Sequence, residues 1–257
     1  MIEPTAGRPE RSRLLRTELI LVLLLSLGAS GIYAVLRIIN LLSSHMRLSD
    51  QTATIVAPVT PDRPWLDLTY QLVGIGLALV PVALVAHFLR RSGEGLAGIG
   101  FDGTDRVRDL ARGLVVAALV GGTGLGLYFT ARSLGINVNL VPSALGNVWW
   151  AIPVLVLAAV QNAVLEEVIV LGYFLHRLEQ LGVKWRSALL ASALLRGSYH
   201  LYQGFGGFIG NFAMGLFFGL LYRRWGRVMP LVVAHAVIDT VAFVGYQLLH
   251  GHVSWLP

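Results

Sequence analysis

Glu166 and Glu167 stand side by side in an apolar run that extends from about Trp149 to Phe174. Even on the mildest scale, one charged side chain at the bilayer centre costs about 2.5–3.5 kcal/mol, so two in succession need a chemical reason. A carboxylate held in such a place can act as a base that takes a proton from water. The two glutamates are ~100° apart on a helix, so they cannot face one point equally. One is suited to hold the reacting water while the other orients or pairs. His200 closes a second apolar run, and His235 and Asp239 share one face of a third, four residues apart. An imidazole there can donate to a developing oxyanion, with Asp239 fixing its tautomer or binding the same atom. Glu166, His200 and His235 could instead hold a divalent metal such as zinc with an open position for water. The spacing is not His-Glu-x-x-His, so both metal-free and metal-assisted water activation stay open. Asn162 and Asn211 read as interhelical hydrogen-bonding residues.

The elements that must position these groups are membrane helices. Of 257 residues, 55% are hydrophobic and only 13% charged, about half the charge of a soluble domain. The chain has no cysteine, which excludes disulfides, a thiolate nucleophile and Cys-type zinc sites. Its net charge of +6 is carried almost wholly by arginine. No basic stripe is interleaved with stacking aromatics, so nucleic acid is not an expected partner; anionic lipid against the basic loops is. Apolar runs predict about seven helices, at 17–39, 66–89, 110–134, 147–178, 187–201, 208–225 and 228–249, with an eighth, re-entrant element near Trp149 as a variant. The first run is too long for the apolar part of a signal peptide and reads as an uncleaved helix. Gly122/Gly126 and Gly215/Gly219 are small-xxx-small pairs suited to close helix packing.

Fifteen of the 20 basic residues fall before the first helix or after the second, fourth and sixth. The positive-inside rule then predicts a cytoplasmic N-terminus. The expectation is an all-α, polytopic bundle in a bacterial plasma membrane, with its site in a cavity within the membrane. It divides into a basic cytoplasmic tail at 1–16, N-terminal transmembrane helices at 17–145 and a catalytic core at 146–250.

Three segments carry a family resemblance. They are Glu166-Glu167-Val168-Ile169-Val170-Leu171, Arg196-Gly197-Ser198-Tyr199-His200 and His235-Ala236-Val237-Ile238-Asp239. In order and setting they resemble the Glu-Glu-x-x-x-Arg, Phe-x-x-x-His and His-x-x-x-Asn/Asp motifs of the CAAX-protease and bacteriocin-processing (CPBP, or Abi) intramembrane endopeptidases, the type II CAAX prenyl protease-like proteins. The resemblance spans 153–243. It implies a helical membrane fold with a conical cavity and hydrolysis of a membrane-associated peptide or protein substrate. It further implies that Glu166 and His200 activate water while His235 and Asp239 form the oxyanion site. Leu171 stands where the family has its Arg, and Arg196 where it has its Phe. The cation is therefore expected to have crossed to the neighbouring helix and to neutralise Glu167 from there. Two other readings remain: a catalytically silent relative acting as a membrane scaffold or self-immunity factor, and a transporter using the glutamates as a proton relay.

Overall fold

The computed structural model describes residues 8–253; the first seven residues of the expected basic tail lie outside the described residues. The chain is almost entirely helical. In order come α1 (Arg8–Leu24), α2 (Leu27–Ser43), α3 (Pro64–Ala78), α4 (Val80–Arg91), α5 (Arg106–Ser133), α6 (Ala151–Glu166), α7 (Phe174–Gln180), α8 (Trp185–Tyr199), α9 (Phe205–Trp225) and α10 (Met229–Leu249). A π-helical stretch, Glu167–Tyr173, joins α6 to α7 without a break.

The expected count of seven or eight spans is not met. Among the described residues, five helical segments are long and apolar enough to cross a bilayer: Pro64–Arg91, Arg106–Ser133, Ala151–Gln180, Phe205–Trp225 and Met229–Leu249. A sixth is counted if α1 and α2, bent by 49°, form one span. The bend replaces the single straight helix expected at 17–39, and its cause is local. The Ser26 hydroxyl donates back to the Val22 carbonyl at 2.6 Å, and a Ser–Gly pairing at such a point is a recognised origin of kinks. The helix expected at 187–201, a short one that could be broken or half-buried, is α8, whose 15 residues reach only ~22 Å, short of the ~30 Å core. No separate re-entrant helix is present near Trp149 among the described residues, because α6 begins directly at Ala151. A further departure from an all-α chain is one parallel strand pair, β1 (Thr52–Val56) with β2 (Asn139–Ser143), in register from Thr52 opposite Asn139 to Val56 opposite Ser143.

The basic loops meet at one end of the bundle. Arg227 bonds Asp102 and Asp109 there, Arg223 lies over Trp185, and Arg177 and His176 engage Glu94. Gly100 has φ +68°, and a Cβ on it would lie within contact of the Arg227 backbone, so only glycine lets these loops approach. Hydrogen bonds from Arg227 and then from Thr104 hold the Asp102 carboxylate well below the usual range, against a small opposing effect of burial. A depressed carboxylate stabilises the fold above its unfolded pKa of ~3.9, and that stability is lost as pH falls through the folded value. Asp102→Asn should therefore lower the thermal midpoint at pH 7, and the gap from wild type should close as a pH series descends below about 4.

The opposite end holds the strands and the tip between α8 and α9. Leu201 and Tyr202 of that tip pack with Ile38, Leu41, Leu48, Ala53 and Val138. The segment before β2 ties the tip down: Val138 N–H donates to Gln203 O at 3.0 Å, Phe205 N–H to Ile136 O at 2.9 Å, and Gly207 N–H to the Asn137 side chain at 2.9 Å. In the middle, α10 runs along α5 and α6, and α8 along α9. Gly215 and Gly219 do pack closely, against Ala193 and Leu189 of α8, whereas Gly122 and Gly126 face open space and carry no such contact.

Candidate active site

Glu166 ends α6 and Glu167 opens the π-helical stretch. A π turn bonds i to i+5 and recurs at functional sites. Here the Phe174 N–H reaches the Ile169 carbonyl, and the fully buried Ser192 hydroxyl donates to the Val170 carbonyl at 3.0 Å. α8 thus bonds the backbone of the widened turn directly. Every residue from Glu166 to Tyr173 is buried.

Arg196 of α8 enters between the two glutamates. Its guanidinium bonds Glu167 Oε1 and lies 3.7 Å from Glu166 Oε2. Its side chain is wholly buried and lies over the Phe218 ring at 5.4 Å. Gly215 makes the room: a Cβ there would stand 3.3 Å from Arg196 Cδ. One cation therefore faces both carboxylates, although neighbouring positions on a regular helix diverge. Leu171, fully buried, remains apolar and would stand 3.9 Å from a Cβ placed on Gly219.

From α10, His235 presents both ring nitrogens to carboxylates, Nδ1 at 2.7 Å from Glu167 Oε1 and Nε2 at 3.4 Å from Asp239 Oδ2. Asn162, one turn before Glu166, donates to that same Asp239 oxygen at 2.9 Å. Asn162 is thus an interhelical link, while Asn211 bonds its own helix, at Gly207 O. His200 caps the end of α8 with Nε2 at 3.7 Å from Glu166 Oε2. Its Nδ1 meets the Gln203 amide at 3.1 Å, and its ring stacks on Tyr202. Glu166, Glu167, Arg196, His200, His235 and Asp239 thus come together from three helices.

Sequence reasoning gave Tyr199 no role. Its hydroxyl donates to Glu166 Oε2 at 2.7 Å, fully buried. The signal available was its position next to His200, in a run of Tyr, His, Tyr and Gln at a helix end. A hydrogen bond to a charged group is worth about 1.5–3 kcal/mol. Tyr199→Phe should lower stability by that order, measured by thermal unfolding in detergent.

Glu166, Glu167 and His235 each offer one ligand atom, all within 4.8 Å of one another. This group could hold a divalent metal. Two carboxylates and an imidazole are a donor set that zinc accepts, and Glu167 Oε2 is buried without a hydrogen-bond partner, which suits the fit. The close group contains Glu167 in place of the expected His200, whose Nε2 stands 3.7 Å from Glu166 Oε2 while its Nδ1 meets Gln203. Four buried polar atoms of these residues lack a hydrogen-bond partner among the described residues: Glu167 Oε2, Arg196 Nε and Nη1, and His200 Nε2. Unpaired buried donors and acceptors are costly, and a cluster of them marks a place for a polar guest.

A family model described as type II CAAX prenyl endopeptidase Rce1-like matches residues 148–241. That segment contains all six residues of the cluster. No curated protein and no solved structure matches the chain. The partial match and the buried cluster are together consistent with an intramembrane catalytic site.

Proposed function

We propose that the protein is an intramembrane endopeptidase that hydrolyses a peptide bond of a membrane-associated substrate. The observation that carries this reading is the convergence of Glu166, Glu167, Arg196 and His235, all buried, on one point within membrane helices. Such a group is expensive to bury and has catalysis as its default explanation. Glu166 is the base: it takes a proton from a water held between it and His200, and the water oxygen adds to the scissile carbonyl carbon. Tyr199 fixes the Glu166 carboxylate. The Nε2–H of His235, only loosely held by Asp239, is the donor that the resulting oxyanion takes, while Asn162 keeps Asp239 in line. The tetrahedral intermediate then collapses with cleavage of the C–N bond, and the proton on Glu166 passes to the leaving amine nitrogen. Arg196 holds Glu167 in place through their ion pair, substituting for the cation that Leu171 lacks. A divalent metal held by Glu166, Glu167 and His235 would supply polarisation of the carbonyl and a more acidic water.

In this reading residues 146–250 form the catalytic core. The helices of 17–145 buttress it, α2 against α8 and α5 against α10. The basic end lies on the cytoplasmic side of a bacterial plasma membrane.

A second reading has one observation in its favour. Arg196 already fills the space between the carboxylates, as it would in a silent relative that serves as a scaffold or immunity factor. Purified protein in detergent, given a panel of membrane-tethered peptides with and without a chelator, separates the two. Cleavage supports the peptidase, and chelator sensitivity assigns the metal. No cleavage by wild type, with Glu166→Ala fully functional in cells, supports the scaffold.

A further inference from the structure

At the basic end, α5 and α9 approach one another without closing. They leave a groove of about 280 Å³ lined by Ala111, Arg112, Val115, Val116 and Trp225. Its walls are aliphatic and aromatic. Its one charge is Arg112, whose guanidinium lies 4.9 Å above the Trp225 ring. The groove opens outward along the helix, where Val115 is 70% exposed.

The acids nearby are already committed. Asp102 and Asp109 hold Arg227, and Asp105 holds Arg108. Among the described residues no carboxylate pairs with Arg112. Arg112 lies six residues into α5, ~9 Å along its axis, near one end of a segment long and apolar enough to cross a bilayer. Trp is enriched at membrane–water boundaries, and here Trp225 and Arg112 together enclose a recess.

We propose that this recess is a binding site for one anionic phospholipid, with an acyl chain along Val115, Val116 and Trp225 and the lipid phosphate on Arg112. The apolar walls require a chain, so a free phosphate does not satisfy the site. The unpaired cation selects the headgroup: a zwitterionic lipid brings its own cation to the phosphate, and an anionic one leaves the phosphate to Arg112. The surrounding basic loops act in the same direction. The site does not depend on the peptidase reading.

The test uses the full chain in vesicles mixing phosphatidylglycerol and phosphatidylcholine, with bromines on the acyl chains of one lipid at a time. Quenching of Trp225 is isolated by subtracting the Trp225→Phe protein. The expected result is a preference of about fivefold for phosphatidylglycerol, which weakens in high salt, falls to near unity in Arg112→Gln and survives in Arg112→Lys. Equal quenching by the two lipids in wild type would overturn the site, as would a preference unchanged in Arg112→Gln. Should Arg112→Gln fail to fold, the wild-type preference and its salt dependence still decide.

Discussion

Arg196→Leu is expected to destabilise the protein by about 3–5 kcal/mol, the usual result of removing one member of a buried ion pair. The substitution would leave Glu167, with no exposed surface, facing only His235 at 2.7 Å. Glu166 would lose its nearest guanidinium as well. The protein should unfold at a markedly lower temperature in detergent, or be recovered only in aggregated form. Leu171→Arg, added to Arg196→Leu, should restore part of the loss, because position 171 lies one turn beyond Glu167 on the same helix. Arg196→Lys should rescue less than the native residue, since a point charge cannot face two carboxylates as a planar fork does. A single Arg196→Leu variant as stable as wild type would show that the pair does not hold the site together.

Glu166→Gln carries the second large effect. The amide keeps the size of the side chain and can still accept the Tyr199 hydroxyl, so the fold should survive. It cannot take a proton from water. General-base catalysis contributes about 10²–10⁴-fold, and peptide cleavage should fall by that factor while thermal unfolding moves little. The contrast with Arg196→Leu matters: one variant removes chemistry and keeps the fold, and the other removes the fold's electrostatic balance.

Why some of this was legible follows from scarcity. Glu166, Glu167, His200, His235 and Asp239 stand out because few ionisable groups lie in the chain's apolar runs. Arg196 was marked by the resemblance, standing four residues before His200 where the family has its Phe, while Leu171 stands at the family's Arg. The apolar runs themselves located most of the helices. What escaped was backbone geometry. A π-helical stretch has no compositional mark: Val168, Ile169, Val170 and Leu171 read as ordinary helix, yet the widened turn is where the carboxylates come to flank one guanidinium. The bend near Ser26 depends on which carbonyl a serine hydroxyl chooses. The shortness of α8 was legible, since the run at 187–201 has no more residues than α8 itself; only its position shifted, to Trp185–Tyr199. β1 and β2 pair across more than 80 residues of intervening chain, beyond any local pattern. The Glu94 contacts with His176 and Arg177 escaped for the same reason. Tyr199 was overlooked because a tyrosine near a helix end usually marks the membrane interface, whereas here its hydroxyl is turned inward onto Glu166.

The most direct test of the central claim is hydrolysis of a membrane-tethered peptide in ¹⁸O-labelled water, with product mass read for wild type and Glu166→Gln side by side. The account predicts one ¹⁸O in the new carboxyl terminus with wild type, and product reduced at least about a hundredfold with Glu166→Gln. Product formed at an equal rate by both proteins, or product lacking the label, would contradict it.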